Sequence, residues 1–284
     1  MGFMEAVHDL PKGPLDLMLH SPGGDPNAAE AIMSYLRAQG FGPIRALVPI
    51  SAMSAATMMA ICCDEIVMGR HSQLGPIDPQ FTITTPDGPR SAPAQAILDQ
   101  FDSAKGELAT SPQSLAAWLP ILRGYGPGLL SQCVTSQKAS EDFVAGAMKD
   151  HMFAGDADAD AKSKAIAAWF NDHKSHRSHG KPLRFDDVAK QGIKVTLFED
   201  DKDFQDNVLS AWHGVQLSLS NVAVNKLVEN SKGATWLISG SPGMLIVNPQ
   251  PAPGPPAAPA GPAAARPAIS PNRSARRRQE RDKP

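Results

Sequence analysis

Two short segments hold residue types that can do chemistry together. In SPGGDP, Gly23 and Gly24 are consecutive, and without Cβ atoms their backbone N–H groups can face a ligand directly. In AMSAAT, Ser54 stands among small residues, where a serine is presented at a helix entrance with the Ala55 N–H beside it. Amides at such an entrance stabilise a developing negative oxygen. Each segment also has a plainer reading. SPGG alone is an ordinary turn from strand to helix, and a serine before a helix is an N-cap. Together, one strand–helix unit apart, they are far more specific than either alone.

The elements that must position them follow from periodicity. LDLMLH (15–20) reads as a buried strand, and NAAEAIMSYLRAQG as a helix with Ala29, Ile32, Met33 and Leu36 on one face. Asp25 is placed to cap that helix, Pro26 suits its first turn and Gly40 its end. Ile44 to Val48 predicts a second strand. SAATMMAICC, apolar on all sides, predicts a helix buried all round, and DEIVM a third strand before the loop LGPIDPQ. Strands and helices alternating in this way argue for α/β layers with parallel strands.

Beyond residue 90 the chain turns helical. APAQAILDQF, SLAAWLPILRGY, ASEDFVAGAMKDHMF and ADADAKSKAIAAWFNDH carry helical apolar spacing, and Asp186 to Gln191 predicts a short helix. Ile193 to Phe198 predicts a strand, and the amphipathic stretch 203–230 closes the ordered part. Residues 1–240 are expected to form the domain, and 241–284 a disordered Pro/Ala-rich tail with a basic end. Ten of the 26 prolines lie in residues 249–284, a composition that cannot bury enough surface to fold.

Charge and cysteine usage narrow the classes. The formal net charge of −2 hides a tail of +5 from Arg266 onward, leaving about −7 on the rest. The body has no basic stripe interleaved with aromatics, so it predicts no nucleic-acid partner, and the basic end reads as a solvated tail. Three cysteines, Cys62 and Cys63 adjacent, make neither a disulfide framework nor a zinc spacing, and a reducing, cytoplasmic setting is expected. MGFMEAVHDLPKG lacks the pattern of a signal peptide. The longest near-apolar stretch, Ala52 to Cys63, is about 12 residues, short of the roughly 20 a spanning helix needs.

LMLHSPGGDPNAAEAI followed by LVPISAMSAATMMAICCDEIVMGRHSQLGPIDPQ resembles the ClpP/crotonase superfamily. More closely it is similar to the serine dehydrogenase proteinases, Clp-fold serine proteinases related to signal peptide peptidase A. Strong motif matching covers residues 15–80, with weaker agreement over 178–195 and 213–230. The resemblance implies a spiral of β-β-α units with a helical C-terminal part, the first strand expected to be missing, and a homo-oligomer acting on a peptide or protein substrate. It implies Ser54 as nucleophile, the amides of Gly24 and Ala55 as oxyanion hole, and Gly23 as the residue shaping the turn. Ala56 stands where the family usually has glycine, which would narrow the approach to Ser54, and Ile50-Ser51 replace His-Tyr.

The base is read from the same resemblance. Clp proteases carry a histidine in the loop matching LGPIDPQ; here Asp78 takes that place and His71 falls earlier, so no Ser-His-Asp triad is read. Relatives of signal peptide peptidase A use a lysine about fifty residues after the serine and before a Ser-Pro, which points to Lys105, with Lys138 as alternative. Such a lysine must be held neutral by burial or nearby positive charge. No cofactor and no metal are implied. His173, His176 and His179 recur every three residues in a polar segment that reads as an exposed turn, and Asp156, Asp158 and Asp160 lack the rest of an EF-hand loop. A silent peptide-binding scaffold of the same fold, or a crotonase-like acyl-CoA enzyme, are the alternatives to a serine peptidase.

Overall fold

The computed structural model describes residues 2–85, 88–221 and 224–239. A short helix α1 (Gly2–Val7) leads to strand β1 (Gly13–Met18) and helix α2 (Pro26–Ala38). The Asp25 carboxylate accepts the Asn27 amide at 2.9 Å, satisfying one of the first-turn donors that no helix can pair internally. Ala29, Met33 and Leu36 form its buried face, and the helix ends at Gln39 with Gly40 behind it, as the sequence predicts. Strands β2 (Phe41–Val48) and β3 (Ser51–Ala52) follow, then helix α3 (Ala55–Ile61), whose seven residues are all buried. Strands β4 (Glu65–Met68) and β5 (Gln73–Leu74) complete this half.

The second half opens with an antiparallel hairpin, β6 (Gln80–Thr85) and β7 (Gly88–Pro93), which the sequence reading did not anticipate. Phe81 and Ile83 alternate with threonines, so one face packs on Ile97 and Cys133. Helices α4 (Ala94–Thr110), α5 (Leu115–Arg123), α6 (Leu129–Asp150), α7 (Ala159–Asn171), α8 (His173–His176) and α9 (Phe185–Ala189) come next. Strand β8 (Val195–Leu197), helix α10 (Lys202–Asn221) and the hairpin β9 (Val224–Glu229) and β10 (Thr235–Ser239) end the described part. The expected amphipathic stretch to residue 230 therefore breaks. Its last residues pair as a strand because the Asn230 side chain accepts the Lys232 and Ala234 amides and turns the chain back on itself.

The main sheet is parallel throughout, in the order β1-β2-β4-β8. One face, with Ile44 and Ile66, shares a continuous core with Leu36, Ile61, Met148, Phe153, Ile166 and Phe170 from the helices. Each such burial contributes about 1.5–3 kcal/mol. The other face, Leu47 and Val67, is covered by Phe198 and by Val208 of α10. Sheet strands covered on both faces are what α/β layering requires. No described helix is long and apolar enough to cross a membrane. The Pro/Ala-rich tail and its basic end lie outside the described residues.

Candidate active site

At the carboxyl ends of β1 and β2, where open α/β sheets hold their ligands, the backbone builds a second, smaller row. Ser21 bridges Ala52, Ala52 pairs with Leu74, and Leu74 pairs with Leu183. The bonds are Ser21 N to Ser51 O at 3.1 Å, Met53 N to Ser21 O at 3.0 Å, Gln73 N to Ile50 O at 2.9 Å, and the reciprocal Leu74–Leu183 pair at 2.9 Å. Neighbouring strands lie about 4.8 Å apart, so Ala52 and Leu183 are separated by roughly 10 Å. The row thus sets four segments side by side: the glycine turn, the Ser54 turn, the loop to Asp78 and the segment from His179.

Ser54 occupies φ 54°, ψ −121°, a conformation costing a side-chain-bearing residue about 1–3 kcal/mol. Its surroundings impose it. Ala56 N donates to Met53 O at 2.9 Å and Met58 N to Ser54 O at 3.1 Å, closing the first turn of α3 around it. Gly23, at φ +108°, packs directly on this turn: a Cβ there would stand 2.7 Å from Ser54 Cβ and 2.9 Å from Met53 O. The plain N-cap reading does not hold, since the Ser54 hydroxyl caps no amide. Among the described residues the amides of Gly24 and Ala55 donate to no protein acceptor. The Ala56 methyl is buried in the core, as is that of Ala55.

One turn into α3, the buried Thr57 hydroxyl donates to Ala52 O at 2.6 Å and accepts Gly75 N at 2.9 Å. Gly75 itself lies against Met53, so the loop carrying Asp78 is fastened to the Ser54 turn. Asp78 is 1% exposed. Its two oxygens face two imidazoles, Oδ1 at 2.7 Å from His179 Nδ1 and Oδ2 at 3.1 Å from His173 Nδ1, and Gln80 Nε2 donates to Oδ2 at 2.9 Å. With Nδ1–H donated to the carboxylate, each ring keeps Nε2 as an acceptor, the tautomer a general base needs. The expected exposed turn is therefore corrected. His173 and His179 are partly buried on Asp78, and His176 is buried with Nε2 2.7 Å from Trp169 O. Polarity misled the sequence reading here, because the partner that draws these histidines inward lies 95 and 101 residues away. Only the weak resemblance over 178–195 hinted at that segment.

The two lysines sit elsewhere. Lys105, on α4, is 65% exposed, with Nζ 3.3 Å from Asp102. Lys138, on α6, is exposed beside Asp142, whose carboxylate holds its ammonium above the ordinary value. Within one protomer neither has the burial or positive neighbour that a neutral lysine requires. His71 Nε2 is engaged with Pro49 O at 2.9 Å. Burial pushes the Cys63 thiol up to about 12 and Cys62 well above its usual value, as inert packing residues. Beside the glycine turn, His20 lies 4.4 Å from the Trp212 ring and its Nδ1 is 3.5 Å from Ser51 Oγ. Among the described residues no three His, Cys, Asp or Glu side chains are arranged to hold a metal.

Two curated relatives are uncharacterized proteins of Methanocaldococcus jannaschii. One is 41% identical over 79 residues, 28% of this chain and 27% of its own length. The other is 28% identical over 182 residues, 64% of this chain and 52% of its own. The chain thus spans about half or less of each relative. No solved structure matches. Residues 3–109, which hold the SPGG turn, Ser54 and Asp78, match the family of ClpP-like SDH-type serine proteinases, the family their motifs resemble.

Proposed function

We propose that the protein is a serine peptidase in which Ser54 is the nucleophile and His179, oriented by Asp78, is the base. The observation that supports this reading is the row Ser21–Ala52–Leu74–Leu183, which ties together the four segments that carry the glycine turn, the Ser54 turn, Asp78 and His179. In the proposed reaction Ser54 Oγ attacks a peptide carbonyl as its proton passes to His179 Nε2. The amides of Gly24 and Ala55 take the negative oxygen. The imidazolium, stabilised by Asp78, then gives its proton to the leaving amine, and water hydrolyses the acyl-enzyme by the same relay. His179 is preferred over His173 because its bond to Asp78 is shorter, and because its segment joins the row at Leu183.

Lys105 or Lys138 supplied by a neighbouring copy in a homo-oligomer is the competing source of a base. A fluorophosphonate probe tests the reading. Labelling of wild type that is lost in Ser54→Ala and strongly slowed in His179→Ala is the expected result. Labelling that survives His179→Ala but disappears in Lys105→Met would replace the histidine with the lysine. No labelling of folded wild type would sink the peptidase reading and favour the scaffold.

A further inference from the structure

Helix α5 reads LAAWLPILR, eight apolar residues and one charge, Arg123, in its last turn. A helix apolar on every side belongs in a core. Here none of its residues is buried. It packs chiefly on α4 and on the turn Pro112–Ser114 that joins the two helices. Trp118 and Leu122 are half-buried, while Leu115 is 48%, Leu119 37% and Ile121 40% exposed. At helical spacing Leu115, Leu119 and Arg123 form one stripe, flanked by Ala116 and Pro120. Exposed apolar surface of this kind marks a contact with something else.

The charges at the two ends of the stripe point to what covers it. Among the described residues the arginine ion pairs are Arg37–Asp64 and Arg45–Asp16, so Arg123 has none. At the other end, Glu107 of α4 reaches the start of α5, where its Oε2 accepts the Trp118 indole N–H at 3.0 Å. The Ser114 hydroxyl and the Trp118 indole hold this carboxyl below its usual range, so it stays charged. Leu115 and Arg123 stand four residues, about 6 Å, to either side of Leu119. A stripe positive at one end, negative at the other and apolar between is complementary to itself when turned antiparallel, as a two-fold interface requires. Such packing sets Leu119 against its own counterpart, and each Arg123 against Leu115 and Glu107 of the other copy. A lipid surface would instead favour several cations along the apolar face, and α5 offers one.

We propose that α5 and the end of α4 form a two-fold interface with a second copy of this chain, centred on Leu119. Nothing in it depends on the peptidase reading. The full-length protein is followed by sedimentation velocity from about 1 to 100 µM, the range in which a contact of this modest size is expected to dissociate. Wild type is expected to form an assembly whose mass Leu119→Asp halves in a variant of native circular dichroism. Arg123→Glu and Glu107→Arg each place like charges opposite one another and are expected to weaken the assembly roughly fivefold. The double variant carrying both changes restores opposite charges and is expected to recover most of the affinity. A wild type that stays monomeric, or an assembly whose mass Leu119→Asp leaves unchanged, overturns the proposal. So does a double variant that associates no more tightly than either single one. Co-sedimentation of wild type with phosphatidylcholine/phosphatidylglycerol vesicles, lost in Leu119→Asp while the mass of the free protein is unmoved, overturns it in favour of a lipid surface.

Discussion

The turn around Ser54 and the cluster around Asp78 are built by opposite strategies. Ser54 is held largely by near neighbours in the chain: Met53 and Met58 close the turn, with the Ser21–Gly23 segment and Gly75 packed on it from elsewhere. Its geometry is a matter of small residues and backbone bonds. The Asp78 cluster instead joins a loop to two histidines about a hundred residues later, brought within reach as Leu183 pairs with Leu74, with Gln80 the local partner of the buried carboxylate. A strained serine turn can be specified locally. A charged group in the core needs partners delivered by the whole fold.

The largest expected break is at the local half. Ser54→Ala should abolish fluorophosphonate labelling and lower peptide turnover by on the order of 10⁶-fold. The distant half comes next. Asp78→Asn should cost roughly 10⁴-fold in kcat by releasing the imidazole orientation, with His179→Ala at least as damaging and His173→Gln clearly milder. A larger loss in His173→Gln than in His179→Ala would exchange the roles of the two rings.

Gly23→Ala sharpens the comparison from the other side. The added methyl meets Ser54 and Met53 at under 3 Å in a conformation alanine rarely adopts. Denaturant unfolding should show a loss of about 1–3 kcal/mol, accompanied by lost labelling. A stable, fully labelled variant would mean that the turn is less constrained than the packing implies.

Smaller still is a pH effect. Partial burial holds the His20 and His151 imidazoles below their ordinary value of 6.5. The unfolded chain therefore takes up these protons first, so the stability is fully present above 6.5 and is lost as pH falls through the folded-state values. Thermal midpoints at pH 7.5 and 5.5 should differ less in a His20→Gln/His151→Gln double variant than in wild type. The smallest change is expected from Lys105→Met, within about twofold of wild-type turnover, because an exposed ion pair contributes about 0–1 kcal/mol.

Much of the fold was legible from residues 15 to 74. Asp25 capping α2, the 29/33/36 stripe and the all-apolar α3 are local signals, and the structure repeats them. The hairpin β6–β7 went unread although Phe81 and Ile83 alternate, because the Pro-rich loop before it and the helix after it drew the interpretation. At 224–230 helical amphipathicity ran on past a strand that only its pairing with β10 reveals. At the site, the glycine turn and Ser54 were found from spacing. The lysines were picked from a family pattern that says nothing of burial, and the histidines were set aside as polar.

The sequence by itself determined the parts whose bonds close within a few residues: capped helices, the Gly23–Gly24 turn and the presentation of Ser54 before a buried helix. Only the tertiary structure decided which titratable groups gather on Asp78. Joining Asp78 to His179 closes a loop of about a hundred residues, and such a closure has a gradual entropy cost but no local sequence signature. Its reward, two imidazoles on one buried carboxylate, appears only once the core has formed around it.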